Sequence, residues 1–176
     1  LHGSPQMTIT GESGARFLLE QGASRVVPAR ELSLEEIKEM YENLQLPKRA
    51  TKGSAGYDFY APFDITLAPG QTIKVPTGVR AYMEDGWVLK LYPRSGLGFK
   101  FRLQLNNTVG IIDSDYYYSS NEGHIFAKIT NDTNEERVVS IKKNTGFIQG
   151  IFLEYGITYD DEVEEIRDGG FGSTTK

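Results

Sequence analysis

Cysteine is absent from this 176-residue chain, and histidine occurs only twice, at His2 and His124. The first absence excludes a disulfide framework and a thiolate metal site. The second leaves little for an imidazole metal site or a Ser-His-Asp triad. Cations are also in the minority, 19 Lys and Arg against 24 Asp and Glu, for a net charge of -5. A general nucleic-acid or anionic-membrane surface needs the opposite balance, so an anionic ligand has to be held locally by a few basic groups. No stretch approaches the roughly 18 to 20 uninterrupted apolar residues of a membrane helix, and the N-terminus lacks the basic-then-apolar order of a signal peptide. The expectation is a soluble, cytoplasmic chain with neither membrane nor nucleic acid among its partners.

What is present is 39% apolar and 11% aromatic content, enough for one substantial core. Leu1 to Gln6 reads as a leftover tag ahead of a natural start at Met7. Residues 7–45 form an extension with one helix: Ser33-Leu34-Glu35-Glu36 is a capping box, Leu34, Ile37, Tyr41 and Leu44 form an apolar stripe, and Pro47 stops it. Residues 46–166 change texture to short β-branched and aromatic runs between Gly, Pro, Asn and Asp. Strands are expected at Tyr57 to Ala61, Thr72 to Val75, Val79 to Met83, Trp87 to Tyr92, Leu103 to Leu105, Thr108 to Ile112, His124 to Thr130, Val138 to Ile141 and Phe147 to Tyr155. Strands that recur about every 8 to 12 residues imply an all-β fold, an antiparallel sandwich or jelly roll. Residues 167–176 form a glycine-rich flexible arm.

Three separated segments carry groups suited to a nucleotide. Pro93-Arg94-Ser95-Gly96-Leu97-Gly98 places a guanidinium, a hydroxyl and unhindered amides at a strand end, which suits phosphate oxygens. Asn107 to Asp115 has hairpin character, and its main-chain N–H and C=O groups can complement the edge of a planar base. Asp113 and Asp115, two apart, share one face if extended, so one can serve as general base and the other as a structural acceptor. Tyr116 follows, a ring that packed flat on a sugar leaves no room for an extra hydroxyl. In the arm, Phe171 offers a stacking face, and Ser173, Thr174 and nearby amides offer donors for a terminal phosphate. The plainer alternatives are a strand-to-loop turn, solvated turn acids, edge-packed tyrosines and a disordered tail.

With Ala55-Gly56-Tyr57-Asp58-Phe59-Tyr60 before them, and Gly146-Phe147-Ile148-Gln149-Gly150-Ile151 between the second and third, these segments resemble the five ordered motifs of the trimeric dUTP pyrophosphatases, from about Leu46 to Thr174. The resemblance implies a jelly-roll homotrimer with sites at subunit boundaries. It also implies Mg²⁺-assisted hydrolysis of dUTP to dUMP and pyrophosphate, which keeps uracil out of DNA and supplies dUMP. By position, Asp113 resembles the base that activates water, and Tyr116 the ring beneath the deoxyribose. Asn107 with Gly110, Ile111 and Ile112 resembles the uracil-binding main chain. Arg94, Ser95 and Gly96 look like the phosphate turn and Gln149 a further phosphate contact. Arg167, Ser173 and Thr174 look like the γ-phosphate clamp, Phe171 with Gly172 the stacking lid, and Asp58 a residue near the metal's water shell. Two departures stand out: Gly146 occupies a position where the family usually has Arg, and Tyr117 to Gly123 form an extra loop. The nearest enzymatic alternative is the similar dCTP deaminase group, and a different class is a nucleotide-responsive regulator acting through the extra segments.

Overall fold

The computed structural model describes residues 42–165 together with Arg167 and Gly169. The expected capping box at Ser33 and the tail residues Phe171, Gly172, Ser173 and Thr174 lie outside the described residues. Ten strands run in the order β1 (Lys48–Arg49), β2 (Tyr57–Tyr60), β3 (Ile65–Leu67), β4 (Thr72–Pro76), β5 (Trp87–Pro93), β6 (Leu103–Leu105), β7 (Gly110–Ile112), β8 (Phe126–Asn131), β9 (Val139–Ile141) and β10 (Gly146–Glu154). Among the described residues a helix, α1 (Ser95–Phe101), follows β5, and a 3-10 turn spans Ser114–Tyr118. Every pairing is antiparallel, in a five-stranded sheet β1-β2-β10-β5-β7, a three-stranded sheet β4-β8-β6 and a pair β3-β9. The all-β expectation therefore holds.

The three short strands β3, β6 and β9 bury their first and third residues and expose the middle one, the period-2 pattern of a half-buried sheet. Their inner residues meet those of the long strands in one core: Phe59, Leu89, Leu91, Phe147 and Ile148 from the large sheet face Ile65, Leu67, Leu103, Ile129 and Val139 from the others. Each such side chain stabilises the fold by about 1.5 to 3 kcal/mol relative to exposure. Asn131, fully buried, donates to the carbonyls of Leu67 at 2.9 Å and Arg137 at 2.8 Å, so a polar group in the core is satisfied while it ties β8 to the β3-β9 region.

Three expectations need correction. Val79 to Met83 is not a strand, because Gly78 at φ +71° turns the chain away and leaves only isolated bonds such as Ile125 N–H to Val79 C=O at 2.9 Å. Strands β1 and β3 are not among the expected ones: β1 is two exposed basic residues, and β3 is a short segment between Asp64 and the turn at Pro69-Gly70. The region after Pro93 is a helix and not a simple turn, and none of its residues is buried.

Candidate active site

Two groups of the expected residues assemble, at opposite ends of β5. At its C-terminal end, the register sets Gln149 of β10 opposite both Asp58 of β2 and Tyr92 of β5, and directly paired residues share a face. Arg94, two residues beyond Tyr92, reaches Asp58 with Nε 3.2 Å from Oδ1. A Cβ on Gly146 would lie 2.9 Å from Arg94 Nη1 and 3.1 Å from its Cδ. Thus the absence of a side chain at 146 gives the Arg94 guanidinium its seat. Gln149 Nε2 donates to the Pro93 carbonyl at 3.2 Å, and a Cβ on Gly56 would sit 2.8 Å from Gln149 Oε1, so this glycine admits the amide.

Arg94 enters α1 in an extended conformation, and its carbonyl accepts from the amides of Leu97 and Gly98, both at 3.0 Å. Gly98 therefore has no free amide for a ligand, contrary to expectation. Ser95 and Gly96 open the helix, where N–H groups have no carbonyl a turn behind them, and Gly96 borders open space.

The second group surrounds a cavity of about 390 Å³ lined by Asn107, Gly110, Ile111, Ile112, Tyr116 and Arg167, among others. The expected hairpin is a corner instead. β6 pairs with β8 in the smaller sheet, the chain turns through Thr108 at φ 66°, and β7 joins β5 in the larger one. β7 is thereby the edge of the five-stranded sheet, and among the described residues its outer row of N–H and C=O groups is not taken up by a neighbouring strand. Such main-chain groups are of the kind that can pair with the edge of a planar ligand. Gly110 is needed for the approach to β5, since a Cβ there would lie 3.0 Å from Leu91 Cβ.

Asp113 follows β7 and caps the 3-10 turn, so Asp113 and Asp115 do not share the face of an extended segment as expected. They are joined through Arg167: its Nη2 pairs with Asp113 Oδ2, and its Nε lies 2.8 Å from Asp115 Oδ1. The Arg167 side chain is only 20% exposed and that of Asp113 43%, and since Arg167 lines the cavity the acid-arginine pair stands beside it.

Tyr116, alone of the three tyrosines, turns inward. Its hydroxyl donates to the His124 carbonyl at 2.8 Å and accepts from Asn121 Nδ2 at 2.7 Å. Burial pushes the phenol above its usual range, against the opposing pull of the Asn121 hydrogen bond and the Arg167 charge, so it remains a neutral ring. Tyr117 and Tyr118 instead pack edge-to-face with each other outside, at 5.1 Å between centroids. Ser119, Asn121 and His124 were missed at the sequence level. For Ser119 and Asn121 the signal was their place in the extra loop; His124 was read only as the start of an expected strand.

His124 is buried, and its Nε2 accepts from the Gly78 amide at 2.9 Å. Burial, with Lys74 nearby, holds the imidazole down to about 3, so it is neutral at ordinary pH. Its Nδ1 has no hydrogen-bond partner among the described residues.

The two groups are far apart within one chain. Ile112 pairs with Leu89, which sets Asp113 level with Val88, whereas Arg94 lies just past Pro93. Six residues of strand separate them, about 20 Å.

Fold and site together describe an all-β domain with a main-chain-lined cavity, an acid-arginine pair beside it and a distant basic turn. A family model for dUTPase matches residues 42–175, and a model for peptidase family U32 matches residues 1–50. The deoxyuridine 5'-triphosphate nucleotidohydrolase of Lactococcus lactis is 44% identical over 144 residues, 79% of this chain and 95% of that protein. Its counterpart from Paraburkholderia xenovorans is 39% identical over 138 residues, 75% of this chain and 90% of that one. The crystal structure of dUTPase from Streptococcus mutans superposes with a TM-score of 0.58 at 43% identity, covering 66% of this chain and 90% of that one. The dUTPase from phage phi11 of S. aureus, at 23% identity and a TM-score of 0.57, shares the fold. The chain belongs to the dUTPase family.

Proposed function

We propose that this protein hydrolyses dUTP to dUMP and pyrophosphate, by attack of water on the α-phosphorus with Asp113 as general base. The observation that carries the reading is the cavity at the β7 edge. Main-chain groups suited to a base line it, a buried tyrosine bounds it, and a carboxylate stands beside it. Gly110, Ile111 and Ile112 read the uracil edge with their backbone, helped by Asn107. Tyr116 lies against the deoxyribose and excludes a 2'-hydroxyl. Exchanging donor and acceptor, as cytosine does, leaves buried groups unpaired at about 1 to 3 kcal/mol each.

Asp113 accepts the proton of the attacking water, a role worth about 10² to 10⁴-fold. Its resting partner Arg167 has to leave first. The γ-phosphate offers that guanidinium a denser negative charge, so arrival of the nucleotide exposes the base. Arg94, Ser95, Gly96 and Gln149 hold the phosphates. Phe171 and Gly172 close over the base, and Ser173 and Thr174 bind the terminal phosphate.

The separation of about 20 Å along β5 exceeds the reach of one triphosphate, so a single subunit cannot bring Arg94 and Asp113 to one ligand. The site is built between copies, and the closed assembly is a homotrimer. This supports the family-based expectation of sites at subunit boundaries.

Among the described residues no group of three or more His, Asp or Glu side chains is placed to hold a metal ion. Mg²⁺ keeps several waters and binds through phosphates plus one or two carboxylates, so the substrate would carry it into the site. Asp58, paired through one oxygen with Arg94, would reach it through water. Bound Mg²⁺ would neutralise charge on the leaving pyrophosphate. A relative, the phage phi11 dUTPase, is described as coordinating a structural Mg(II) ion.

No helix among the described residues is long and apolar enough to cross a membrane, and the reading places the enzyme in the cytoplasm. Pyrophosphate release measured across dUTP, dCTP, dTTP and UTP tests the function. Turnover confined to dUTP is expected. Equal turnover of dCTP or dTTP removes the cavity from its role, and ammonia release from dCTP favours a deaminase.

A further inference from the structure

The loop 117–123 turns back into the protein. Ser119 and Asn121 are 5% and 9% exposed, in a segment whose Tyr118 is 74% exposed. The reversal is made at Glu122 and Gly123, with φ of 59° and 69°. It is tight: a Cβ on Gly123 would lie 2.7 Å from Tyr117 Cα and 2.9 Å from the Tyr116 carbonyl oxygen. A loop free in solvent has no need of such contacts.

Its inward residues form a directed chain. The Tyr116 hydroxyl has one proton and gives it to the His124 carbonyl, so its oxygen can only accept from Asn121 Nδ2 at 2.7 Å. Asn121 is itself oriented, because Ser119 Oγ lies 2.6 Å from Asn121 Oδ1 and 2.7 Å from the Tyr116 carbonyl oxygen. The Tyr116 carbonyl also accepts from the Ser119 amide at 3.1 Å, which leaves the single hydroxyl proton of Ser119 for Asn121 Oδ1, the end of the amide turned from the phenol because Nδ2 donates there. The Glu122 amide closes the turn onto the Ser119 carbonyl at 2.8 Å.

We propose that Asn121, oriented by Ser119, is a positioning residue for sugar discrimination: it holds the Tyr116 ring at the depth that rejects a 2'-hydroxyl. The inference rests on the reading of Tyr116 as the surface beneath the deoxyribose. A ring excludes one oxygen atom only if it cannot yield by an ångström or so. Two hydrogen bonds on its far end, one to the main chain and one to the loop, remove that freedom. Without Asn121 the hydroxyl keeps one anchor and the ring pivots about it.

The test is the ratio of kcat/KM for dUTP to that for UTP in the intact protein. Asn121→Ala is expected to lower the ratio about tenfold, the equivalent of one hydrogen bond, chiefly through better use of UTP. Ser119→Ala should act in the same direction by a smaller factor, and it serves if Asn121→Ala does not fold. Tyr116→Phe removes the hydroxyl but keeps the ring. Adding Asn121→Ala to it should change the ratio no further, since the bond they share is already gone. Three results overturn the proposal: an unchanged ratio in Asn121→Ala, equal losses on both nucleotides, or independent effects in the double variant. A Tyr116→Ala variant that keeps full discrimination would remove the tyrosine itself from the sugar site. That result refutes the underlying reading, distinguishably from the role of the loop.

Discussion

Alanine at position 146 is expected to lower kcat/KM for dUTP by about tenfold to a hundredfold, while the melting temperature moves by no more than about 2 °C. The added Cβ would come within 2.9 Å of Arg94 Nη1 and 3.1 Å of its Cδ, closer than real Cβ atoms pack, and the flexible side chain is what yields. Gly146 is not among the residues at positive φ, so alanine fits the backbone without strain. Its lower freedom in the unfolded chain stabilises by about 0.4 to 1 kcal/mol. Against that stands the loss of the Arg94–Asp58 pair, with Nε to Oδ1 at 3.2 Å and Arg94 43% exposed. Such a partly solvated pair contributes about 0 to 1 kcal/mol, so the two changes nearly cancel.

Catalysis has no such offset. A displaced guanidinium forfeits charge-assisted bonds to phosphate, about 1.5 to 3 kcal/mol, and each 1.4 kcal/mol is a factor of ten. Steady-state pyrophosphate release and a thermal melt on the same preparation check both halves. In the Arg94→Ala background the added alanine at 146 should have little further effect on kcat/KM. Unchanged kcat/KM in the single variant, or a melting temperature lowered by several degrees with intact kinetics, would refute the seat argument.

Asp113→Asn should still bind dUTP but lose about 10² to 10⁴-fold in turnover, measured as nucleotide binding beside pyrophosphate release. Mixing Asp113→Asn chains with Arg94→Ala chains and allowing exchange should restore activity above either parent, because some sites then draw Arg94 and Asp113 from different intact copies. Absence of any recovery after verified exchange would place the whole site in one chain. Acidification should destabilise the fold through His124. The buried imidazole protonates only near about 3, whereas in the unfolded chain it does so near 6.5, so between these values the unfolded state binds more protons. Its contribution is complete above about pH 6.5 and declines as pH falls toward 3, by up to about 1.4 kcal/mol per pH unit. Denaturant melts of His124→Gln across that range should show a flatter profile. Gly123→Ala, at φ 69° and with a Cβ 2.7 Å from Tyr117 Cα, should cost about 1 to 3 kcal/mol in a urea melt.

Local chemistry carried much of this protein's architecture. Alternation and turn residues located β2, β4, β8, β9 and β10 within a residue or two, and Leu103 to Leu105 to the residue, because burial of one face imposes a period of two wherever a strand is long enough. Val79 to Met83 has the composition of a strand and fails as one. Pairing depends on a neighbour at the right distance, and Gly78 turns the chain away from it. The candidate residues were legible by type and order, as Asp113 and Arg94 illustrate, but their grouping was not. Only the register of β5 against β7 and β10 reveals that these two lie at opposite ends of one strand.

Residue identities and their spacing thus determined the all-β class and most strand positions, and marked Asp113, Arg94 and Tyr116 as candidates. The tertiary structure decided that Gly146 seats Arg94, that Arg167 joins Asp113 to Asp115, and that the loop through Asn121 returns to Tyr116. Periodicity and turn preference act over a few neighbouring residues and can be read along the chain. These three contacts join residues that are distant along the chain or folded back through a loop reversal, and only the path of the backbone sets them.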